Sequence, residues 1–215
     1  MWPEFEVRVV ALVFFAGLVL AGAASLPVLR GMRPTATAPE QGAPVSRASE
    51  ALWLAAVAVV YLYPLGVAVD VPTAYGPLDL LAGPLVSILQ AFGFALAFVG
   101  LVLVPWSVRA LGRYTTFRIE VREDQPIVDQ GPYARIRHPL YSANLFVGLG
   151  LLLAFLSAWL VVPAIVIVVL AVRRASAEEE MFLRSPRLGA RYAEYVARTG
   201  RFLPRRAARG EATRP

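Results

Sequence analysis

The longest uncharged stretch of the chain constrains its fold more than any other feature. It runs from Leu140 to Val172 without Asp, Glu, Lys or Arg. One α-helix of that length would measure roughly 50 Å, whereas the hydrocarbon core of a bilayer is about 30 Å thick. The stretch is too long for one membrane span. We therefore interpret it as a helical hairpin, Pro139–Leu156 and Trp159–Val172, that turns between these two arms.

Three further apolar stretches are each long enough for one spanning helix, and they lie at about Val9–Leu29, Ala51–Val69 and Leu80–Val108. Hydrophobic residues make up 58% of the chain, well above the roughly 45–50% of a soluble domain. With the hairpin, these stretches predict an all-α integral membrane protein of about five transmembrane helices.

The arginines test this count, because cytoplasmic loops of membrane proteins carry an excess of positive charge. The chain has no Lys and a net charge of +6. Arginines cluster between the first two helices, after the third helix and after the hairpin, but not in Asp70–Asp79. Five spans place all three clusters in the cytoplasm and the N-terminus outside. With four or six spans, one Arg-rich cluster would lie on the outer side of the membrane. We expect the plasma or inner membrane, and membrane lipids rather than nucleic acid as partners.

The predicted organisation has three parts. Residues 1–108 form the first three membrane helices, with a flexible Pro- and Ala-rich linker at 33–49. Residues 109–204 contain a cytoplasmic loop, the hairpin at 139–172 and C-terminal surface helices, and residues 205–215 form a flexible basic tail. Oligomeric state is not readable from the sequence.

Two local patterns on the cytoplasmic side predict further structure. Thr115–Val121 alternates and is rich in β-branched residues, which predicts a strand that pairs with Ile127–Val128 across a turn. Ala177–Phe202 carries apolar residues at helical spacing among Arg and Glu, which predicts one or two helices on the membrane surface.

The composition excludes several kinds of chemistry. The chain has no Cys and a single His, His138. Disulfides, thiolate metal sites, a Cys nucleophile and multi-His metal sites are therefore ruled out. We expect a site that uses no metal.

The residues before the hairpin favour a site for an anionic group. Gly131-Pro132 is a turn signal that brings Tyr133 to the membrane surface. Pro139 suits the first turn of a helix, so His138 lies near its N-cap, where free N–H groups attract anions. Arg137 adds a guanidinium able to bind a carboxylate through two hydrogen bonds.

A helical hairpin returns its second end to the membrane face where it began. Arg174 and Glu178 are four residues apart and share one helix face. We expect them, with Glu179, to meet the cluster formed by Arg137, His138 and Tyr141. Such a set of acids, bases and aromatic rings suits a zwitterionic, aromatic, cationic ligand.

The ordered motifs of this half resemble the isoprenylcysteine carboxyl methyltransferase and phospholipid methyltransferase superfamily of membrane methyltransferases. The resemblance covers about Leu111–Pro204. It rests on Leu111-Gly112 with Phe117, Gly131-Pro132-Tyr133, Arg137-His138-Pro139-x-Tyr141, Arg174 with Glu178-Glu179, and Tyr192-x-x-Tyr195.

The resemblance implies a membrane enzyme that binds S-adenosylmethionine on the cytoplasmic side, with a methyl acceptor that arrives from the bilayer. It implies catalytic roles for Arg174, Glu178 and Glu179. Cofactor binding would fall to Gly131, Tyr133, Arg137, His138, Pro139, Tyr141, Glu178 and Glu179. Because Glu180 follows directly, the sequence leaves open which carboxylates face the cofactor.

The sequence leaves open the role of Asn144, the identity of the acceptor and an alternative function. Asn144 is a candidate substrate-binding residue, but it is also placed to make an ordinary interhelical hydrogen bond. The acceptor is an isoprenylcysteine-like carboxylate, a phospholipid amine or a small thiol. The alternative function is a non-catalytic lipid-binding or scaffold protein on the same fold.

Overall fold

A computed structural model describes residues 4–31, 39–42, 46–70, 84–115, 120–122 and 126–205. Helices dominate this part of the chain, and the predicted all-α membrane fold is confirmed. The helices are α1 (Glu4–Arg30), α2 (Arg47–Val69), α3 (Pro84–Leu111), α4 (Pro139–Phe155), α5 (Val161–Arg184) and α6 (Gly189–Arg198), with short 3₁₀ turns at Gly112–Tyr114, Gly131–Ala134 and Ala158–Leu160.

Among the residues that the structure describes, four helices are long and apolar enough to cross a membrane: α1, α2, α3 with its 3₁₀ extension, and α5 with the turn before it. Helix α4 is apolar but has 17 residues, or about 25 Å. The count of five spans therefore remains a prediction. We call the end of the bundle where α1, α3 and α5 finish and α2 and α4 begin the Arg-rich side.

The hairpin turns where the sequence suggested. Helix α4 ends at Phe155, and the next residue, Leu156, has a left-handed backbone (φ 47°) and donates its N–H to the Leu152 carbonyl. Its second arm, however, does not stop at Val172, because α5 continues unbroken to Arg184. The first break is Ser185, whose extended backbone is what a following proline demands. The surface helices predicted over Ala177–Phe202 are thus the end of α5 and the separate α6.

The predicted strand pairing is wrong in its partner. Strand β2 (Glu120–Arg122) pairs antiparallel with β1 (Pro39–Gly42) from the linker between α1 and α2. Ile127–Val128 is not in a strand. Residues 116–119 of the predicted strand lie outside the described residues. So do residues 33–38 and 43–45 of the linker and the tail beyond Arg205, and the flexibility predicted for them is not tested.

Helices α3 and α4 pack closely through glycines. A Cβ added to Gly93 would lie 2.5 Å from the Ala154 backbone nitrogen, and one added to Gly100 would lie 2.6 Å from the Ala143 carbonyl oxygen. Near the same crossing, the buried Gln90 amide donates to the Ala154 carbonyl at 3.1 Å. These contacts hold α4 at a fixed position along α3.

A short segment after α6 completes the Arg-rich side. We call Thr199–Leu203 the C-terminal strap. Its Gly200 forms a parallel bridge with Ile136, and the backbone N–H groups of Arg137 and His138 donate to the strap carbonyls of Gly200 (2.8 Å) and Arg201 (3.1 Å). The strap therefore holds the residues that lead into α4.

Candidate functional site

His138 lies between two carboxylates at the start of α4. Its Nε2 is 3.0 Å from Glu179 Oε1 and its Nδ1 is 3.3 Å from Glu178 Oε2. Burial alone lowers the pKa of His138, but the hydrogen bonds and charges of the two carboxylates outweigh burial and raise this pKa above its usual value. The geometry therefore favours an imidazolium that donates from both nitrogens.

Glu179 is the common partner of three cationic side chains. It accepts hydrogen bonds from Arg137 Nε at 2.9 Å and His138 Nε2 at 3.0 Å, and its other oxygen lies 3.1 Å from Arg201 Nη2 of the strap. Arg137 also donates to the carbonyls of Val196 and Thr199. Glu179 therefore links α4, α5 and the strap into one network.

Glu178 takes part in a second network that reaches α2. The Tyr141 hydroxyl donates to Glu178 Oε1, and Arg174 Nε donates to the Tyr141 oxygen at 3.3 Å. The Arg174 guanidinium lies 5.7 Å from the centre of the Trp53 ring, within cation–π range. Trp53 also meets Tyr141 edge-on, with ring centres 5.6 Å apart.

Tyrosines close the site towards α6. The Tyr195 hydroxyl donates to the Tyr133 carbonyl at 2.7 Å, and Tyr192 stacks on Phe182 of α5 at 4.8 Å. Burial is the main cause that raises the pKa of Tyr133. These phenols are neutral at physiological pH and offer apolar ring faces with polar edges.

These groups line one cavity of about 430 Å³ on the Arg-rich side of the bundle. We call the part with the charged and tyrosine side chains the polar end; it comprises Tyr133, Arg137, His138, Tyr141, Arg174, Glu178, Tyr192 and Tyr195. The cavity continues as an apolar arm, lined by Leu18, Ala21, Gly22, Ser25, Leu29, Leu54, Val57, Tyr61, Leu101, Val104, Val108 and Leu111. Trp53 lies where the two parts meet.

The structure separates the three consecutive acids that the sequence could not distinguish. Glu178 lines the cavity. Glu179 faces the three cations. Glu180 is exposed and pairs with Arg184 one turn later. Of the three, only Glu178 lines the cavity formed by the described residues.

The other predicted site residues divide into two groups. Tyr133, Arg137, His138, Tyr141, Asn144 and Arg174 line the cavity. Gly131 and Pro139 are not among its lining residues. Gly131 has a positive φ, and a Cβ there would lie 3.2 Å from both Ala110 Cβ and Trp106 Nε1, so it allows the loop to approach α3. The Asn144 amide donates to the Leu140 carbonyl at 2.7 Å, and its role in substrate binding stays a prediction.

Sequence reasoning missed Trp53, Arg201 and the wall formed by α1. For Trp53, the signal was its place near the membrane interface, about two turns into α2. Arg201 follows Gly200 in a short polar segment, where only the strap geometry shows its partners. Within the described residues, no group of three or more His, Asp and Glu side chains is placed to hold a metal ion, and the expected absence of a metal stays a prediction.

Comparison with known proteins agrees with the motifs. Residues 88–185, from the first third of α3 to the end of α5, match the family of phospholipid methyltransferases. No curated protein matches the chain. The match contains the hairpin, His138 and the three acids of α5, whereas α1, α2 and the strap lie outside it. This segment is thus similar to a family within the superfamily of integral membrane methyltransferases, which includes the isoprenylcysteine carboxyl and phospholipid methyltransferases.

Proposed function

We propose that the protein transfers a methyl group from S-adenosylmethionine to a lipophilic acceptor at the cytoplasmic face of the plasma or inner membrane, with its N-terminus outside. One observation carries the proposal: the polar end and the apolar arm are parts of a single cavity. A water-soluble charged cofactor and a lipid-soluble acceptor need such different surroundings, and they must meet at the reacting atoms.

The polar end has the donor set that this cofactor requires. S-adenosylmethionine carries an amino group, a carboxylate, a purine and a sulfonium. Glu178 offers a carboxylate to the amino group, Arg137 and His138 offer positive charge to the carboxylate, and the tyrosine rings offer faces to the purine or the sulfonium. Each of these side chains lines the cavity.

Glu179 has a positioning role in this proposal and takes no part in the chemistry. Glu179 holds Arg137, His138 and Arg201 in one arrangement, so we assign it to positioning the cofactor site rather than to direct contact. Bound S-adenosylmethionine supplies an activated methyl group on a good leaving group. The protein contributes proximity, alignment and exclusion of water.

Arg174 and Asn144 lie where the acceptor's polar group would reach the polar end. Arg174 is 5% exposed and contacts Trp53 and Tyr141. A carboxylate or thiolate acceptor needs no base here. An amine acceptor has to arrive neutral, and we assign Glu178 as the group that would take its proton. Residues 109–204 form the cofactor-binding part in this proposal, and 1–108 contribute the acceptor wall.

Binding of S-adenosylmethionine to the detergent-purified protein, measured by calorimetry, tests the proposal. The three acids of α5 provide a matched set. Glu178→Gln removes a charged partner in the cavity, for which we expect a loss of affinity of roughly ten- to a hundredfold. His138→Ala should weaken binding similarly. Glu180→Gln, on the exposed face of the same helix turn, should leave affinity unchanged.

Two results would count against the proposal. One is a folded wild-type protein that binds no S-adenosylmethionine in the presence of lipid. The other is equal loss of affinity in Glu178→Gln and Glu180→Gln, which would indicate a general charge effect instead of a site. Transfer of a labelled methyl group into a lipid extract, abolished by Glu178→Gln, would then separate an enzyme from a lipid-binding scaffold.

A further inference from the structure

Three helices each give one continuous stripe to the apolar arm. On α1 the lining residues recur at the spacing of a single helix face, from Leu18 through Ser25 to Leu29. The same holds for α2 from Trp53 to Tyr61 and for α3 from Leu101 to Leu111. The arm therefore runs along the helix axes rather than across them.

The length of these stripes follows from the rise of an α-helix. At about 1.5 Å per residue, the α1 stripe spans about 16 Å, the α2 stripe about 12 Å and the α3 stripe about 15 Å. Half of a hydrocarbon core of about 30 Å is about 15 Å. The arm is thus as deep as one leaflet.

All three stripes lie in the same half of the bundle. The α1 and α3 stripes occupy the C-terminal halves of their helices, and most of the α2 stripe lies in the N-terminal half. These are the halves next to Arg30, Arg47 and Arg109. The arm therefore lies in the leaflet on the Arg-rich side and ends at the polar cluster.

One residue of the α1 stripe faces open space. A Cβ added to Gly22 meets no atom within 4 Å, in contrast to Gly17 five residues earlier, where it would lie 2.8 Å from a Leu101 methyl carbon. Gly22 and Leu54 of α2 line the cavity and are both exposed. The arm therefore opens to the bilayer between α1 and α2.

We propose that the apolar arm holds one hydrocarbon chain of the methyl acceptor lengthwise, in the leaflet on the Arg-rich side, and that Gly22 sets the width of the arm. The acceptor class is accordingly a single-chain lipophile with its polar group at Trp53. The chain enters between α1 and α2 and stays parallel to its neighbours in the leaflet. This inference rests on the proposed function for the chemistry at the polar end, but chain binding is measurable without methyl transfer.

The cavity volume supports one chain rather than two. Pockets for a single drug-sized ligand commonly measure about 300–1,000 Å³. The present cavity of about 430 Å³ has to enclose both a cofactor and the end of an acceptor. We therefore assign one chain to the arm and place any second acyl chain outside the protein.

Trp53 offers a direct readout, because bromine quenches tryptophan fluorescence on contact. The probe is a fatty acid brominated near its carboxyl end, added to the protein in vesicles of unbrominated phosphatidylcholine. The signal of Trp53 is the difference between the wild type and Trp53→Phe. We expect saturable quenching of Trp53, and at least tenfold weaker apparent binding in Gly22→Leu.

Gly66→Leu is the matched control. Gly66 lies on α2, also meets no atom within 4 Å of an added Cβ, and does not line the cavity. Its substitution should leave the quenching curve unchanged. Quenching that is equal in Gly22→Leu and Gly66→Leu, or equally strong with diacyl phosphatidylcholine brominated at the same carbon, would overturn the proposal.

The same samples distinguish the two proposals from each other. If S-adenosylmethionine binds by calorimetry but Trp53 is not quenched, the proposed function stands and the acceptor arm is wrong. If quenching is saturable and sensitive to Gly22 but S-adenosylmethionine does not bind, the arm is a lipid site and the methyltransferase assignment fails. Gly22→Leu should leave S-adenosylmethionine affinity at the wild-type value.

Discussion

Glycines serve opposite purposes in the two halves of this bundle. In the α3–α4 pair, Gly93, Gly100 and Gly150 let two backbones touch, and an added Cβ at any of them would collide with backbone atoms of the other helix. In α1, Gly22 borders empty space. One region has no room for a methyl group, and the other maintains a space as deep as a leaflet. A glycine can therefore lie either in a closely packed helix contact or in the wall of a cavity. Which of the two it does depends on how near the neighbouring helix lies.

The packed region also contains the polar cluster. Every charged side chain at the start of α4 has a named partner on α5 or the strap, whereas the α1 and α2 walls of the arm are apolar. The family match has the same boundary, since it includes α3, α4 and α5 but neither α1 nor α2. In the proposed function, the packed region supplies most of the cofactor site, and α1 and α2 supply the acceptor wall.

The largest effect should come from filling the packed crossing. Gly93→Ala places a methyl group within 2.6 Å of the Ala154 nitrogen and the Gly150 oxygen, and neither backbone atom can rotate away. We expect a loss of about 3 kcal/mol in the free energy of unfolding. Thermal unfolding followed by tryptophan fluorescence measures it. Gly66→Ala is the control, and equal stability of the two variants would mean that the helices are not in contact.

Removing Arg137 should have the next largest effect. Arg137→Met leaves Glu179 with one donor fewer and deprives the Val196 and Thr199 carbonyls of theirs, for which we expect about 2 kcal/mol of lost stability. Arg198 provides the comparison, because it makes one exposed ion pair with Asp129. Arg198→Met should cost well under 1 kcal/mol. Denaturation of both variants at one pH tests whether burial, rather than charge, produces the difference.

The pH dependence of stability should show the contribution of the protonated His138 side chain. Since its folded pKa is raised, its contribution is fully present below the ordinary value of about 6.5. That contribution is lost as the pH rises through the raised folded value. The unfolding temperature should therefore fall as the pH rises from about 6.5 through the raised folded pKa of His138, and His138→Asn should flatten this part of the profile. An unchanged slope in the variant would show that the imidazole is neutral between the two carboxylates.

The smallest effect should have the opposite sign. Gly22→Ala adds a methyl group that meets no neighbour and restricts the unfolded chain, so we expect a gain of about 0.5 kcal/mol. The measurement is the same thermal unfolding, with Gly17→Ala as a neighbour whose Cβ would press on Leu101. Destabilisation by Gly22→Ala would show that the arm is closed in solution, and the contrast between the two regions would disappear.

Much of the fold could be predicted because a bilayer requires long apolar helices and favours arginines on one side. Apolar length and the distribution of arginines gave the helices, and the chain returned to the Arg-rich side after Leu156 as the charge pattern required. The same topology brings Arg174 and Glu178 to His138. The end of the second arm was misjudged because the apolar run stops at Val172, although no helix-breaking residue occurs before Ser185-Pro186.

What the sequence could not supply is the rotation of each helix. Helix α2 is apolar almost all round, so nothing in its pattern tells that Trp53, rather than Leu52 or Leu54, packs inward. The pairing of β2 with β1 depends on two segments far apart in the chain. The separate surroundings of Glu178, Glu179 and Glu180 arise from a helix rotation of about 100° per residue, which only a fixed neighbour can anchor.

The C-terminal strap is synthesised after all the membrane helices, so its contacts with the site form last. Chains are made from the N-terminus, and early segments fold first. All five apolar helices precede Thr199 in the chain, so the bundle can occupy the membrane before Gly200 and Arg201 exist to hold Arg137, His138 and Glu179. Membrane insertion and completion of the site are thus separable, because a chain that stops before residue 199 has all five apolar helices but lacks the Arg201 partner of Glu179.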